Sequence, residues 1–222
     1  MKFVLTYDGP LPSGNSGGIF LKKWEIRKQV HPQLKELWQT HRCLKHLVRY
    51  IPETSYGWLE KHHSAVEGFK EKPHEDQGIK YIDLRPPLLV GDVAFVPLVR
   101  NSYALLCGLK ITFMRMEPVG AVYQGGDLDN RVKTFIDALK VPQTDGEQVA
   151  KMTSDVALLT GGDASGPMYC LLEDDSLVTG ISIETARLLG APTLPPNFVR
   201  LVAEVDVRVS EPHMYNSLFL GD

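Results

Sequence analysis

Gly125-Gly126-Asp127-Leu128-Asp129-Asn130-Arg131-Val132-Lys133-Thr134-Phe135-Ile136-Asp137-Ala138-Leu139-Lys140 is the stretch from which the rest of the chain is read. Val132, Phe135, Ile136 and Leu139 recur at i, i+3, i+4 and i+7, the apolar stripe of an amphipathic helix. The helix therefore starts at Asp127 to Asp129 and packs against something larger. Two roles are open to the acidic pair at its start. Asp129 is placed to cap the first backbone N–H groups, and both carboxylates suit the positive end of the helix dipole. Two carboxylates one residue apart, entered from two glycines, also form a harness for a divalent cation, because hard cations take oxygen ligands. Lys133 stands one turn after Asp129 on the same face, within reach of a phosphate oxygen or an attacking water beside such an ion.

A second acidic knot, Glu173-Asp174-Asp175, precedes the β-branched run Leu177-Val178-Thr179-Gly180-Ile181-Ser182-Ile183, which reads as a strand. An Asp-Leu-Asp-Asn opening a helix, a lysine at this offset, an Asp-Ala-Leu within the helix (Asp137 to Leu139) and an Asp-Asp before a strand resemble the signature of the RusA-type Holliday-junction resolvases. The resemblance covers about a third of the chain. It implies that Asp127, Asp129 and Asp175 bind Mg²⁺ (or Mn²⁺), with Asp174 as a neighbouring ligand. Lys133 would assist cleavage, the substrate would be branched DNA such as a Holliday junction, and the protein would be a homodimer, since resolving a four-way junction takes two symmetric nicks. The chain departs from the family in two respects. Tyr123, Gln124, Gly125 and Gly126 stand where basic residues commonly precede the first motif, and the link from Lys140 to Glu173 is longer than a minimal resolvase needs.

With 222 residues and 43% hydrophobic content the chain can bury one sizeable core. A formal charge of −3 excludes nucleic-acid binding through overall charge, so a local basic surface is required. The strongest candidate lies in residues 20–51, which read as helix in two pieces, with Pro32 in the first turn of the second. There Lys22, Lys23, Arg27, Lys28, Lys35, Arg42, Lys45 and Arg49 greatly outnumber Glu25 and Glu36, with His31, His41 and His46 nearby. Lys28, Lys35 and Arg42, together with Arg131 beside the acidic motif, are the expected DNA contacts. An ordinary solvated helix face is the other reading of this surface.

Three dispersed cysteines, Cys43, Cys107 and Cys170, make neither a disulfide framework nor a zinc cage and suit a reducing, cytoplasmic setting. No apolar run reaches the length of a membrane span, and the N-terminus reads as a strand rather than a signal peptide. Asn15-Ser16-Gly17-Gly18 lacks the Gly-Lys-Ser/Thr of a P-loop. His62 and His63 have no second ligand cluster at zinc spacing, and residues 160–166 read as a surface loop. Strands are expected at residues 1–7, 79–84, 88–99, 109–116 and 200–209, and a strand or short helix at 181–189. The apolar tail at 211–222 packs on the body or on a second subunit. The architecture is α+β: a mixed sheet with packed helices in a single RusA-like domain spanning residues 1–222, decorated by residues 52–100.

Function is read as Mg²⁺-dependent endodeoxyribonuclease activity on branched DNA. Two other classes stay open: a non-catalytic DNA-binding or structural descendant of the same fold, and a sugar-nucleotide transferase that holds Mn²⁺ and a diphosphate with the Asp-x-Asp pair. The intact carboxylates and lysine argue against the first, and the lack of a recognisable nucleotide-binding half argues against the second.

Overall fold

A computed structural model describes residues 1–11, 19–44, 48–52, 71–73, 79–83, 87–91, 93–116, 127–143, 167–189, 194–195, 197–212 and 216–220. For residues 19–20, 48–52, 71–73, 79–83, 127 and 218 it describes the backbone alone. The glycine-rich loop at 14–18, His62, His63, His74, residues 123–126 and the loop at 160–166 lie outside the described residues.

Alternation builds the central sheet. In β10 (Phe198–Val209) the residues Val199, Leu201, Ala203, Val205 and Val207 point inward and are buried, while Arg200, Glu204 and Arg208 point to solvent. β7 (Leu105–Arg115) repeats the pattern with Leu105, Cys107, Leu109, Ile111 and Phe113 inside, the signature of a sheet with one face on the core. β1 (Lys2–Pro10) and β10 are antiparallel, as are β10 and β7, and β9 (Val178–Arg187) joins β7 in parallel, giving the order β1-β10-β7-β9. On the outer face opposite charges meet across strands, Arg200 with Asp8 at 2.7 Å and Lys110 with Glu184 and Glu204 at 3.5 and 3.6 Å.

A smaller sheet has β5 (Leu88–Val90) antiparallel to β6 (Val93–Val99), and β6 parallel to β8 (Met168–Leu172). Gly91, at φ 59, supplies the left-handed residue for the tight β5–β6 turn. β6 is buried almost throughout, so the end of the 52–100 segment is part of the core. β2 (Val48–Pro52), β3 (Glu71–Pro73) and β4 (Ile79–Asp83) form a third, antiparallel sheet. Residues 48–51, expected to be helical, are thus strand.

Among the described residues two helices lie against the sheets, α1 (Ile19–Thr40) and α2 (Asp127–Leu139). α1 is continuous through Pro32, where the sequence suggests a break. A proline inside a helix costs about 3 kcal/mol. Burial of Trp24, Ile26, Val30, Leu34 and Trp38 on both sides of it offsets that cost. The helix also closes the edge of the main sheet. Gln29 and Gln33, one turn apart, each use both ends of the side-chain amide on an outward-facing residue of β1. Gln33 accepts from the Thr6 N–H at 2.9 Å and donates to its carbonyl at 2.8 Å, and Gln29 does the same for Asp8 at 3.0 and 2.8 Å. Two amides thus stand in for a neighbouring strand.

The tail packs on the body, with Phe219 in the core and Asn216, fully buried, donating to the Tyr103 and Glu211 carbonyls. Cys43, Cys107 and Cys170 are buried and in no disulfide, and burial pushes the Cys107 and Cys170 thiols up to about 12. No helix among the described residues is long and apolar enough to cross a membrane.

Candidate active-site cleft

α2 presents two different faces. Leu128, Val132, Phe135, Ala138 and Leu139 are buried in the main core, which fixes the helix rotationally. Asp129, Lys133 and Asp137 follow one another at spacings of four and, with Ile136, line a cleft of about 550 Å³. Asp175, Ser176 and, from β9, Val178, Ile181 and Ile183 form its other wall. The fold therefore brings Asp129 and Lys133 of the first motif into one cleft with Asp175 of the second. Asp127 opens α2, and its side chain lies outside the described residues.

The acidic knot divides its three carboxylates among three tasks. Glu173 accepts from the Asn101 backbone N–H at 2.9 Å, at the start of a short 3-10 turn. Asp174 caps the 3-10 turn at 175–177: one of its oxygens accepts from the Ser176 N–H at 2.9 Å and the other from the Gln143 amide at 2.6 Å. The Ser176 hydrogen bonds, with Lys140 adding to them, hold the Asp174 carboxyl below the usual range. Asp175 is the member whose carboxylate meets the cleft; it is 47% exposed and takes the Lys140 ammonium at 2.9 Å.

Behind the cleft the basic residues of α1 reach α2. Lys23 pairs with Asp137 at 2.7 Å. Arg27, only 5% exposed, donates to the carbonyls of Asp137 and Lys140 at 3.0 and 3.3 Å. A guanidinium there satisfies orphan carbonyls at the negative end of the helix dipole. Burial pulls the guanidinium down to about 10, which leaves it charged at neutral pH. His31 is interior as well: its Nδ1 accepts from the Tyr169 backbone N–H at 2.9 Å, and its ring stacks on Tyr169. Lys23, Arg27 and His31 are thus corrections to the basic surface read from the sequence.

Arg131 is a further correction. It is 2% exposed and donates to the Leu11 carbonyl and to the Asn197 side chain, tying α2 to the end of β1 and the turn into β10. A guanidinium held there is not available to DNA. Of the other expected contacts, Arg42 is exposed, while Lys28 and Lys35 are half-buried, Lys28 pairing with Glu25 at 2.9 Å.

The donors lining the cleft are carboxylate oxygens beside lysine, a set that fits a hard divalent ion and not a thiophilic one. Among the described residues no three acidic, histidine or cysteine side chains gather closely enough to hold an ion by themselves. Asp129, Asp137 and Asp175 are the carboxylates among the described residues that line the cleft. A larger depression, about 650 Å³, lies on the outer face of the main sheet over Gly108 and Gly180, which pair across β7 and β9. Of the charged residues that line it, Lys110, Glu204, Asp206 and Arg208 are in ion pairs within the sheet, and Lys2 lies at it as well. The residue that sequence reasoning passed over is Lys140, while Lys23, read as part of a phosphate-contacting surface, pairs with Asp137 instead. Lys140 carried a local signal, since it follows Asp137 by three at a helix C-terminus, where cations are favoured.

Comparison of the chain with protein-family models, curated proteins and solved structures returns no match.

Proposed function

We propose that this chain is a divalent-metal-dependent endodeoxyribonuclease acting on branched DNA, as the likeness of its two acidic motifs to RusA-type resolvases implies. The observation that carries this reading is the shared cleft: Asp129 and Lys133 from α2 face Asp175 from a distant part of the chain. Asp127, Asp129 and Asp175 would hold Mg²⁺ or Mn²⁺, with Asp174 fixing the turn that aims Asp175. A divalent ion bound there supplies activation of water and neutralisation of charge developing on the scissile phosphate.

The chain's own residues do the rest. Lys133, exposed at the cleft, donates to a phosphate oxygen and orients the substrate without ligating the ion. Water attacks phosphorus in line and the P–O bond breaks, leaving a phosphate monoester on one end and a hydroxyl on the other. Lys28, Lys35 and Arg42 contact backbone phosphates away from the cut. A homodimer in a reducing, cytoplasmic setting would provide the two active sites that a four-way junction requires.

The test is cleavage of labelled four-way, flap and linear duplex DNA with and without Mg²⁺. Branched substrates should be cut only with the metal, and Asp127→Asn or Asp175→Asn should abolish cutting while the protein stays folded. Lys133→Ala should slow cleavage about a hundredfold or more at saturating Mg²⁺ with thermal stability barely changed. Near wild-type cleavage by either aspartate variant would overturn the assignment.

A further inference from the structure

Four side chains of alternating charge run from α1 to the cleft. Lys23 Nζ contacts Asp137 Oδ2 at 2.7 Å, Lys140 Nζ lies 3.9 Å from Asp137 Oδ1, and the same ammonium is 2.9 Å from Asp175 Oδ1. The chain ends on a carboxylate that the proposed activity assigns to the metal. We infer that Lys140 is the internal counter-cation of Asp175: it neutralises and positions that carboxylate in the metal-free protein, and competes with a divalent ion for it. The inference rests on the cleft being the metal site.

Three features separate this pair from an ordinary surface ion pair, which contributes little. The Lys140 side chain is 13% exposed, so water screens it weakly. Its backbone is fixed: residue 140 bridges Leu172 of β8, its carbonyl accepts from Arg27, and the next N–H, that of Val141, donates to Leu172 at 2.9 Å. Leu172 stands only three residues before Asp175, so lysine and aspartate are held by one local piece of structure. Finally, Asp137 already serves Lys23 on its other oxygen, and its single charge cannot balance two lysines. Lys140 therefore needs Asp175.

The charge balance gives the consequence. Asp129, Asp137 and Asp175 are matched by Lys23, Lys133 and Lys140, so that the negative charge left to attract a cation is that of Asp127 and Asp174. A divalent ion approaching Asp175 must displace the ammonium or share the carboxylate with it, against repulsion from Lys140. Binding in the absence of DNA is then weaker than the carboxylates alone would give, and a phosphate entering the cleft adds negative charge that offsets Lys140. Lys140 is a positioning residue, acting through Asp175 and not on the substrate.

The experiment is a Mn²⁺ titration of the DNA-free protein, with free Mn²⁺ followed by electron paramagnetic resonance. Lys140→Met should bind Mn²⁺ about tenfold or more tightly than wild type, because a repelling charge is gone. Lys140→Arg, which keeps the charge, should stay within about threefold. Equal or weaker binding by Lys140→Met overturns the inference. Should that variant fail to fold, the wild-type protein decides: the ¹⁵Nζ resonance of Lys140 shifts as Mg²⁺ loads, and an unmoved resonance at saturation overturns the inference equally. Asp175→Asn separates the two levels of argument. If it binds Mn²⁺ as wild type does, the metal-site reading fails. If it loses binding while Lys140→Met binds no more tightly than wild type, the role of Lys140 alone fails.

Discussion

Lys23, Arg27 and His31 follow one another every four residues along α1 on the side that meets α2 and β8, Arg27 and His31 buried and Lys23 half-buried, whereas Lys28, Lys35 and Arg42 follow every seven on another side. The inner set meets specific partners: the Asp137 carboxylate, two carbonyls at the end of α2 and the Tyr169 N–H. In the outer set Lys28 meets the exposed Glu25 on its own helix. All six are basic residue types, and what differs is the cost of leaving a group unsatisfied. A buried basic group without partners is expensive, so Arg27 and His31 are fixed by the fold, while the outer residues keep their charged ends within reach of solvent.

The largest expected effect on stability lies with His31. Burial, with Lys35 adding to it, pushes its imidazole down to about 4 from an ordinary 6.5. With Nδ1 accepting from Tyr169, the proton of the neutral ring sits on Nε2, and protonating Nδ1 would abolish that bond. The folded value is depressed, so the unfolded chain takes up a proton below pH 6.5 and the native one does not until about pH 4. Stability from this group is fully present above pH 6.5 and falls by roughly 3 kcal/mol in total by about pH 4. Urea unfolding across that window should show the slope in the wild type and a smaller one in His31→Gln, whose amide oxygen can still accept from Tyr169. Identical slopes would place His31 among the solvated residues.

Next comes Arg27→Met, which keeps the aliphatic volume and removes the donor to two carbonyls of α2. Orphaning them should cost about 2 kcal/mol, read from the urea midpoint at constant m-value. A loss under about 0.5 kcal/mol would mean that water serves these carbonyls as well as Arg27 does.

The smallest stability effect belongs to the outer face. Reversing Lys28, Lys35 and Arg42 to glutamate together should change unfolding free energy by only about 0.5 kcal/mol. It should still weaken metal-free binding to a four-way junction and lower the salt-dependence slope by about one unit per lost phosphate contact. An unchanged slope returns this face to plain solvation and sharpens the contrast into one between structural and idle charge.

Local rules made much of the fold legible. The alternation of 200–209 and the stripe of Val132, Phe135 and Leu139 correspond to β10 and α2, because periodicity reports which face is buried. Pro32 misled for a physical reason: its local penalty is real, yet apolar burial on both sides of it outweighs the penalty. Residues 48–51 continued a helical pattern but pair as strand with β4, a contact that no local rule reports.

By itself, the sequence determined the residue types of the candidate site, two carboxylates and a lysine at the start of an amphipathic helix and a second acidic knot before a strand, since caps, stripes and spacings act within a turn or two of the chain. Tertiary structure alone decided which charges those residues meet. It sent Glu173 and Asp174 to cap turns and Asp175 to the cleft, buried Arg131 and Arg27, and set Lys140 between Asp137 and Asp175. The physical reason is range: an ion pair or a desolvation penalty depends on neighbours brought together from distant parts of the chain, and spacing along the chain carries no record of them.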